Sequence, residues 1–142
     1  MGQYRQIDHT ADIAVAVTGK DLKDLFRTAS KAWRKLVTGN SKISNADRRV
    51  FHLQSATAEE LLVDCLSELN YLLITKHWIF KDFKDLQIGQ NSSGITLDAF
   101  IYGEPFIEGK HFVEVEIKAV TFHQMVIKKV QQRYETTIIF DI

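Results

Sequence analysis

Trp78-Ile79-Phe80-Lys81-Asp82-Phe83-Lys84-Asp85-Leu86-Gln87-Ile88, then Asn91-Ser92-Ser93-Gly94, then Ile95-Thr96-Leu97-Asp98-Ala99-Phe100-Ile101-Tyr102 is the stretch on which the fold turns. The outer segments read as strands, and the polar and small residues between them as a turn. Strand-like runs continue over residues 112–120, 126–131 and 134–140, joined by short links that favour antiparallel pairing. Upstream the period changes. Leu22, Leu25, Phe26, Ala29, Trp33 and Leu36 recur at helical spacing behind Asp21, an N-cap residue, and Gly39-Asn40-Ser41 stops that helix. Thr57-Ala58-Glu59-Glu60 reads as a capping box, in which the hydroxyl and the carboxylate each satisfy a free backbone N–H. The helix it opens buries Leu62, Cys65, Leu66, Leu69 and Leu73. Ile13, Val15 and Val17 alternate as a strand ended by Gly19, and another strand falls around residues 50–54. The order β-α-β-α followed by strands predicts an α+β fold. It is a single two-layer domain over residues 1–142, a mainly antiparallel β-sheet with two helices packed on one face.

Composition narrows the function classes. The 142 residues carry 18 basic and 18 acidic side chains, so formal charge is zero. Binders that hold nucleic acid by bulk charge usually show a basic excess. No exposed aromatic motif stands out either, which counts further against an RNA-binding module. The single cysteine, Cys65, lies in an apolar run and reads as a small buried hydrophobe. No apolar run approaches the ~20 residues that span a bilayer, and no secretory leader pattern opens the chain, so the expectation is a cytoplasmic protein without membrane contact. There is no internal repeat, Gly-rich phosphate loop, nucleophile elbow or Cys/His zinc spacing.

What remains is a set of polar residues on apolar strands. His9-Thr10-Ala11-Asp12 enters one strand, and Ile139-Phe140-Asp141-Ile142 leaves the last. If the fold brings Asp12, Asp141 and the Ile142 carboxylate together, they need a cation or a shared proton. Hard oxygen donors of this kind suit Ca²⁺ or Mg²⁺ rather than zinc. A turn capped by Asp12 and a solvated chain end at Asp141 account for the same residues without a metal. Lys118-Ala119-Val120-Thr121-Phe122-His123 forms a second cluster. Read as a strand, it places Lys118 with Glu114 and Glu116, and His123 with Thr121. A cross-strand ion pair and a hydrogen-bonded histidine are the plain alternatives. Lys23, Arg27 and Lys31 recur every four residues along the first helix, as a solvated face or as a partner or RNA-backbone contact.

Four segments in register, His9-Thr10-Ala11-Asp12-Ile13, Glu60-Leu61-Leu62-Val63-Asp64, Lys118-Ala119-Val120-Thr121-Phe122-His123 and Ile139-Phe140-Asp141-Ile142, resemble those of the archease family, and the resemblance covers essentially the whole chain. It implies a non-catalytic protein cofactor of the GTP-dependent RNA-splicing ligase, which joins 3′-phosphate (or 2′,3′-cyclic phosphate) and 5′-hydroxyl ends in tRNA splicing and RNA repair. The cofactor promotes guanylylation of a ligase histidine and multiple turnover, and RNA is met only indirectly. The resemblance further implies a divalent ion (Ca²⁺ or Mg²⁺/Mn²⁺) held by Asp12, Asp141 and an oxygen of Ile142. Lys118 belongs to the same patch, and His9 and His123 match motif positions of unassigned role. Phe122 stands where tyrosine is common, which removes a phenolic hydroxyl, and Cys65 where tryptophan is frequent, which alters packing. A stand-alone metal-dependent phosphohydrolase acting on RNA ends and a chaperone-like RNA-binding module are the competing readings.

Overall fold

A computed structural model describes residues 2–8, 12–122 and 125–142. Eight strands and two helices are assigned: β1 Gln3–Asp8, β2 Asp12–Gly19, α1 Leu22–Thr38, β3 Asp47–Ser55, α2 Ala58–Ile74, β4 Trp78–Asn91, β5 Gly94–Pro105, β6 Ala119–Thr121, β7 Lys128–Val130 and β8 Arg133–Asp141. All strand pairings are antiparallel. The expected α+β class holds, with the strands divided between two sheets instead of one. The first sheet runs β1-β2-β8-β6, with β7 also on β8, and the second runs β3-β5-β4. α1 packs on β1, β2 and β8 of the first sheet and on β4 of the second, while α2 packs on β3, β4, β5 and β6. The helices therefore tie the sheets together, and one contiguous core contains the inner faces of both. Among the described residues no helix is long and apolar enough to cross a membrane.

Local chemistry sets the helix ends. The Asp21 carboxylate accepts from the Asp24 N–H at 2.7 Å. At the other end Gly39 adopts φ 56°, a region that costs a residue with a Cβ but not glycine, and its N–H returns to the Lys35 carbonyl at 2.9 Å. A Cβ there would also run into the Glu114 carboxylate. For α2, Thr57 Oγ1 accepts from the Glu60 N–H at 3.1 Å. The Glu60 carboxylate, however, reaches back to the Ala56 N–H at 3.4 Å, one residue before the donor a capping box predicts. Cys65 is fully buried, and burial pushes its thiol up to about 12, so it packs as a small hydrophobe.

Three strand expectations differ, the briefest being the run expected over residues 126–131, which pairs only at Lys128–Val130. β1 is absent from the sequence reading because Gln-Tyr-Arg-Gln-Ile-Asp shows no apolar alternation; it is an edge strand held by its register on β2. Conversely, residues 112–118 are not a strand, and only Ala119–Thr121 of that run pairs. Their backbone groups find other partners: Phe112 N–H bonds Ser41 Oγ at 2.9 Å, and Glu114 N–H bonds the Val37 carbonyl at 2.7 Å. Alternation of Val115 and Ile117 with glutamates reports an extended chain with one face inward, whatever satisfies its main chain.

A buried polar knot closes β5. Glu104 is 4% exposed and receives the Ser44 N–H at 2.5 Å, Lys110 Nζ at 2.9 Å and His111 Nε2 at 3.0 Å. His111 Nδ1 accepts from the Ile107 N–H at 2.9 Å, so Nε2 carries the proton that faces Glu104. Burial raises the Glu104 carboxyl, but the Ser44 N–H, Lys110 and His111 outweigh it and hold it at about 2, below its ordinary 4.5. A depressed carboxyl stabilises the fold above its unfolded value. That contribution is expected to fade as pH falls from 4.5 towards 2. Glu104→Gln should cost about 2 kcal/mol at neutral pH and flatten the acid limb of a pH series of thermal melts. An unchanged acid limb would exclude Glu104 as its source.

Candidate functional site

The first sheet builds the site from its register. Asp12 on β2 lies directly opposite Asp141 on β8, and Asp141 lies opposite Ala119 on β6. The chain's first and last predicted acidic residues thus occupy one rung of three neighbouring strands. Along β8, Thr136, Ile138 and Phe140 are buried, while Glu135, Thr137 and Asp141 are exposed. Asp141 therefore projects from the outer face, and Asp12, opposite it and half-buried, shares that face. Like charges directly opposite destabilise a sheet unless a cation or proton offsets them.

Lys118 enters by its backbone: its N–H donates to the Asp141 carbonyl at 2.8 Å. Its side chain is exposed at the margin of the rung and is not on a strand with Glu114 and Glu116, as the sequence reading had it. Ile142 follows Asp141 and is 41% exposed. His9 and His123 lie outside the described residues. Among the described residues no three His, Cys, Asp or Glu side chains come together as a metal-holding group. Lys23, Arg27 and Lys31 belong to a different place. They line a depression of about 480 Å³ with Tyr4 and Thr28, on the helix that follows the far end of β2 from Asp12. Lys31 reaches Asp82 at 4.0 Å.

A model of the Archease protein family (MTH1598/TM1083) matches residues 4–142. The chain belongs to the archease family. Protein archease of Methanosarcina acetivorans is 33% identical over 140 residues, spanning 99% of this chain and 96% of its own. That of Saccharolobus solfataricus is 33% identical over the full length of both. Among solved structures, Methanobacterium thermoautotrophicum protein 1598 superposes with a TM-score of 0.84 at 32% identity, covering 98% of each chain. An archease from Thermotoga maritima, described as a possible chaperone, gives 0.62 at 19% identity over 97% of this chain and 96% of its own, a likeness of fold alone.

In this archease chain the residue that steadies the Lys118 segment is one the sequence reading passed over. Asn70 on α2 accepts from the Trp33 indole N–H at 3.1 Å and donates Nδ2 to the Ile117 carbonyl at 2.9 Å. One amide thus links both helices to the main chain just before Lys118. The available signal was an asparagine inside an otherwise apolar helix face, which needs partners if it is to be buried. Asn70→Ala is expected to cost about 2 kcal/mol and to speed amide exchange at Lys118 and Ala119. Unaltered exchange there would show that the segment is positioned without Asn70.

Proposed function

We propose that this archease is a non-catalytic activator of the GTP-dependent 3′-phosphate/5′-hydroxyl RNA ligase. In this reading it promotes guanylylation of the ligase histidine and repeated turnover in tRNA splicing and RNA repair. The observation that supports it best is the rung of Asp12 and Asp141 at the margin of which Lys118 stands. Guanylylation brings a triphosphate to a nucleophile, and its charge needs oriented cations. Asp12, Asp141 and an oxygen of Ile142 form a hard-oxygen donor set in keeping with Ca²⁺, Mg²⁺ or Mn²⁺. Such an ion, when bound, supplies the positive charge that offsets the carboxylates and the nucleotide phosphates. Asp141 presents its carboxylate on an exposed strand end, where a partner surface can approach. The Lys118 ammonium, exposed beside it, meets a phosphate or a partner carboxylate.

Multiple-turnover ligation and histidine guanylylation by the cognate ligase, with and without this protein, test the reading. Stimulation of both is expected. Stimulation of neither by a folded protein would discard it. Release of phosphate from phosphate-ended RNA by the protein alone, with Mg²⁺ or Mn²⁺, would replace it with the phosphohydrolase reading.

A further inference from the structure

The second sheet has an outer face that no element covers among the described residues, because α1 and α2 pack on the side where Phe51, Phe83, Leu97 and Ile101 are buried. Two rungs of that outer face are Arg48, Tyr102 and Asp82, then Val50, Phe100 and Lys84. The central strand therefore presents two aromatic rings two residues apart, about 6.7 Å along β5, with a cation on each flanking strand. Arg48 lies over the half-buried Phe100 ring, 4.6 Å from its centre, and Lys84 over that of Tyr102 at 5.8 Å, so a cation covers one face of each ring. Val50, beside Phe100, is 78% exposed.

Charge on this face is uneven in a way the neutral whole hides. Its carboxylates are engaged: Asp98 by the His52 ring, and Asp82 by the Phe83 N–H at 2.8 Å and by Lys31 at 4.0 Å. Arg48 and Lys84 have no carboxylate partner among the described residues. Two half-buried rings, bordered by cations that lie over them and that no carboxylate holds, match the two chemistries of a single nucleic-acid strand: flat bases that stack and phosphates that draw the cations away. An acidic peptide would use the cations but leave the rings idle. A duplex would offer phosphates but no free base faces.

We propose that the outer face of β3-β5-β4 binds unpaired nucleotides of an RNA strand, with bases stacked on Phe100 and Tyr102 and phosphates held by Arg48 and Lys84. The stacking chemistry stands on the geometry; the choice of RNA over DNA rests on the ligase reading above. The proposal departs from the expectation that RNA is met only indirectly, and it rests on rings that are half-buried.

The test is fluorescence anisotropy of a labelled ten-nucleotide RNA single strand titrated with the full chain, without ligase. Phe100→Leu, which keeps apolar bulk but removes the ring, should weaken binding about tenfold, within the range for loss of one base–aromatic stack. Arg48→Glu should weaken it and lower the slope of log K against log salt by roughly 0.7 or more. Thermal melts of each variant separate lost binding from lost folding. The proposal is overturned by no binding of the single strand, by equal binding of an RNA duplex, or by parental affinity in both Phe100→Leu and Arg48→Glu. Equal affinity for the DNA strand overturns the assignment to RNA. None of these outcomes depends on ligase stimulation, so this proposal and the activator reading fail separately.

Discussion

Asp141→Ala is expected to abolish the proposed stimulation of ligation and guanylylation while leaving the fold within about 0.5 kcal/mol of the parent. The expectation of intact folding follows from what the substitution keeps. Asp141 is exposed at the end of β8, and its pairings to Asp12 and Ala119 are made by main-chain groups. Its carbonyl still receives the Lys118 N–H. What disappears is one of two carboxylates on a shared rung, and with it half of the charge that would draw a cation. One measurement, made on parent and variant, separates cation loss from surface loss. A divalent ion that binds only the folded protein raises its melting temperature by mass action. Mg²⁺, Mn²⁺ or Ca²⁺ should therefore raise the melting temperature of the parent and not that of Asp141→Ala. Full stimulation by the variant would remove the acidic rung from the activation mechanism.

Trp33→Ala carries the largest expected cost in stability, about 4 kcal/mol or roughly 12 °C in Tm. Trp33 is fully buried on α1, which like α2 touches both sheets. Truncation removes its apolar surface from the core, leaves a cavity that the two helices cannot both collapse into, and strips Asn70 Oδ1 of its donor at 3.1 Å. Because Asn70 also holds the Ile117 carbonyl, the loss should reach the Lys118 segment. Chemical denaturation of Trp33→Ala, Asn70→Ala and the double variant measures this coupling. A double-variant cost equal to the sum of the singles would show that the indole and the amide act independently. A Trp33→Ala cost under 1 kcal/mol would mean that the core repacks around the gap.

The helices were legible because their signals are local. Asp21, Gly39 and Thr57 act within one turn of themselves, and an apolar stripe has one meaning at helical spacing. The acidic rung was legible for another reason: Asp12 and Asp141 each sit at the end of an apolar strand, and adjacent strands align their ends. Residues 112–118 misled because alternation records an inward face and not the partner of the main chain. The aromatic face of β5 was hidden by the opposite problem. Ile95, Leu97, Ala99 and Ile101 point inward, but Phe100 and Tyr102 are also apolar, so the strand reads as buried on both sides. Only the helices, by covering one side, reveal which aromatics face away from the core, half-buried under Arg48 and Lys84. Glu104 and His111 lie seven positions apart and gave no spacing signal, since a turn brings them together.

β8 pairs with β2, β6 and β7, so the first sheet is organised around the strand made last among them. On the ribosome β2 emerges early with β1 beside it but stays without β8 while more than a hundred further residues are added. A chain in which β8 has not docked lacks the Asp12–Asp141 rung. The rung thus reports the docking of β8: two carboxylates more than a hundred residues apart in sequence become neighbours only when that strand is in place.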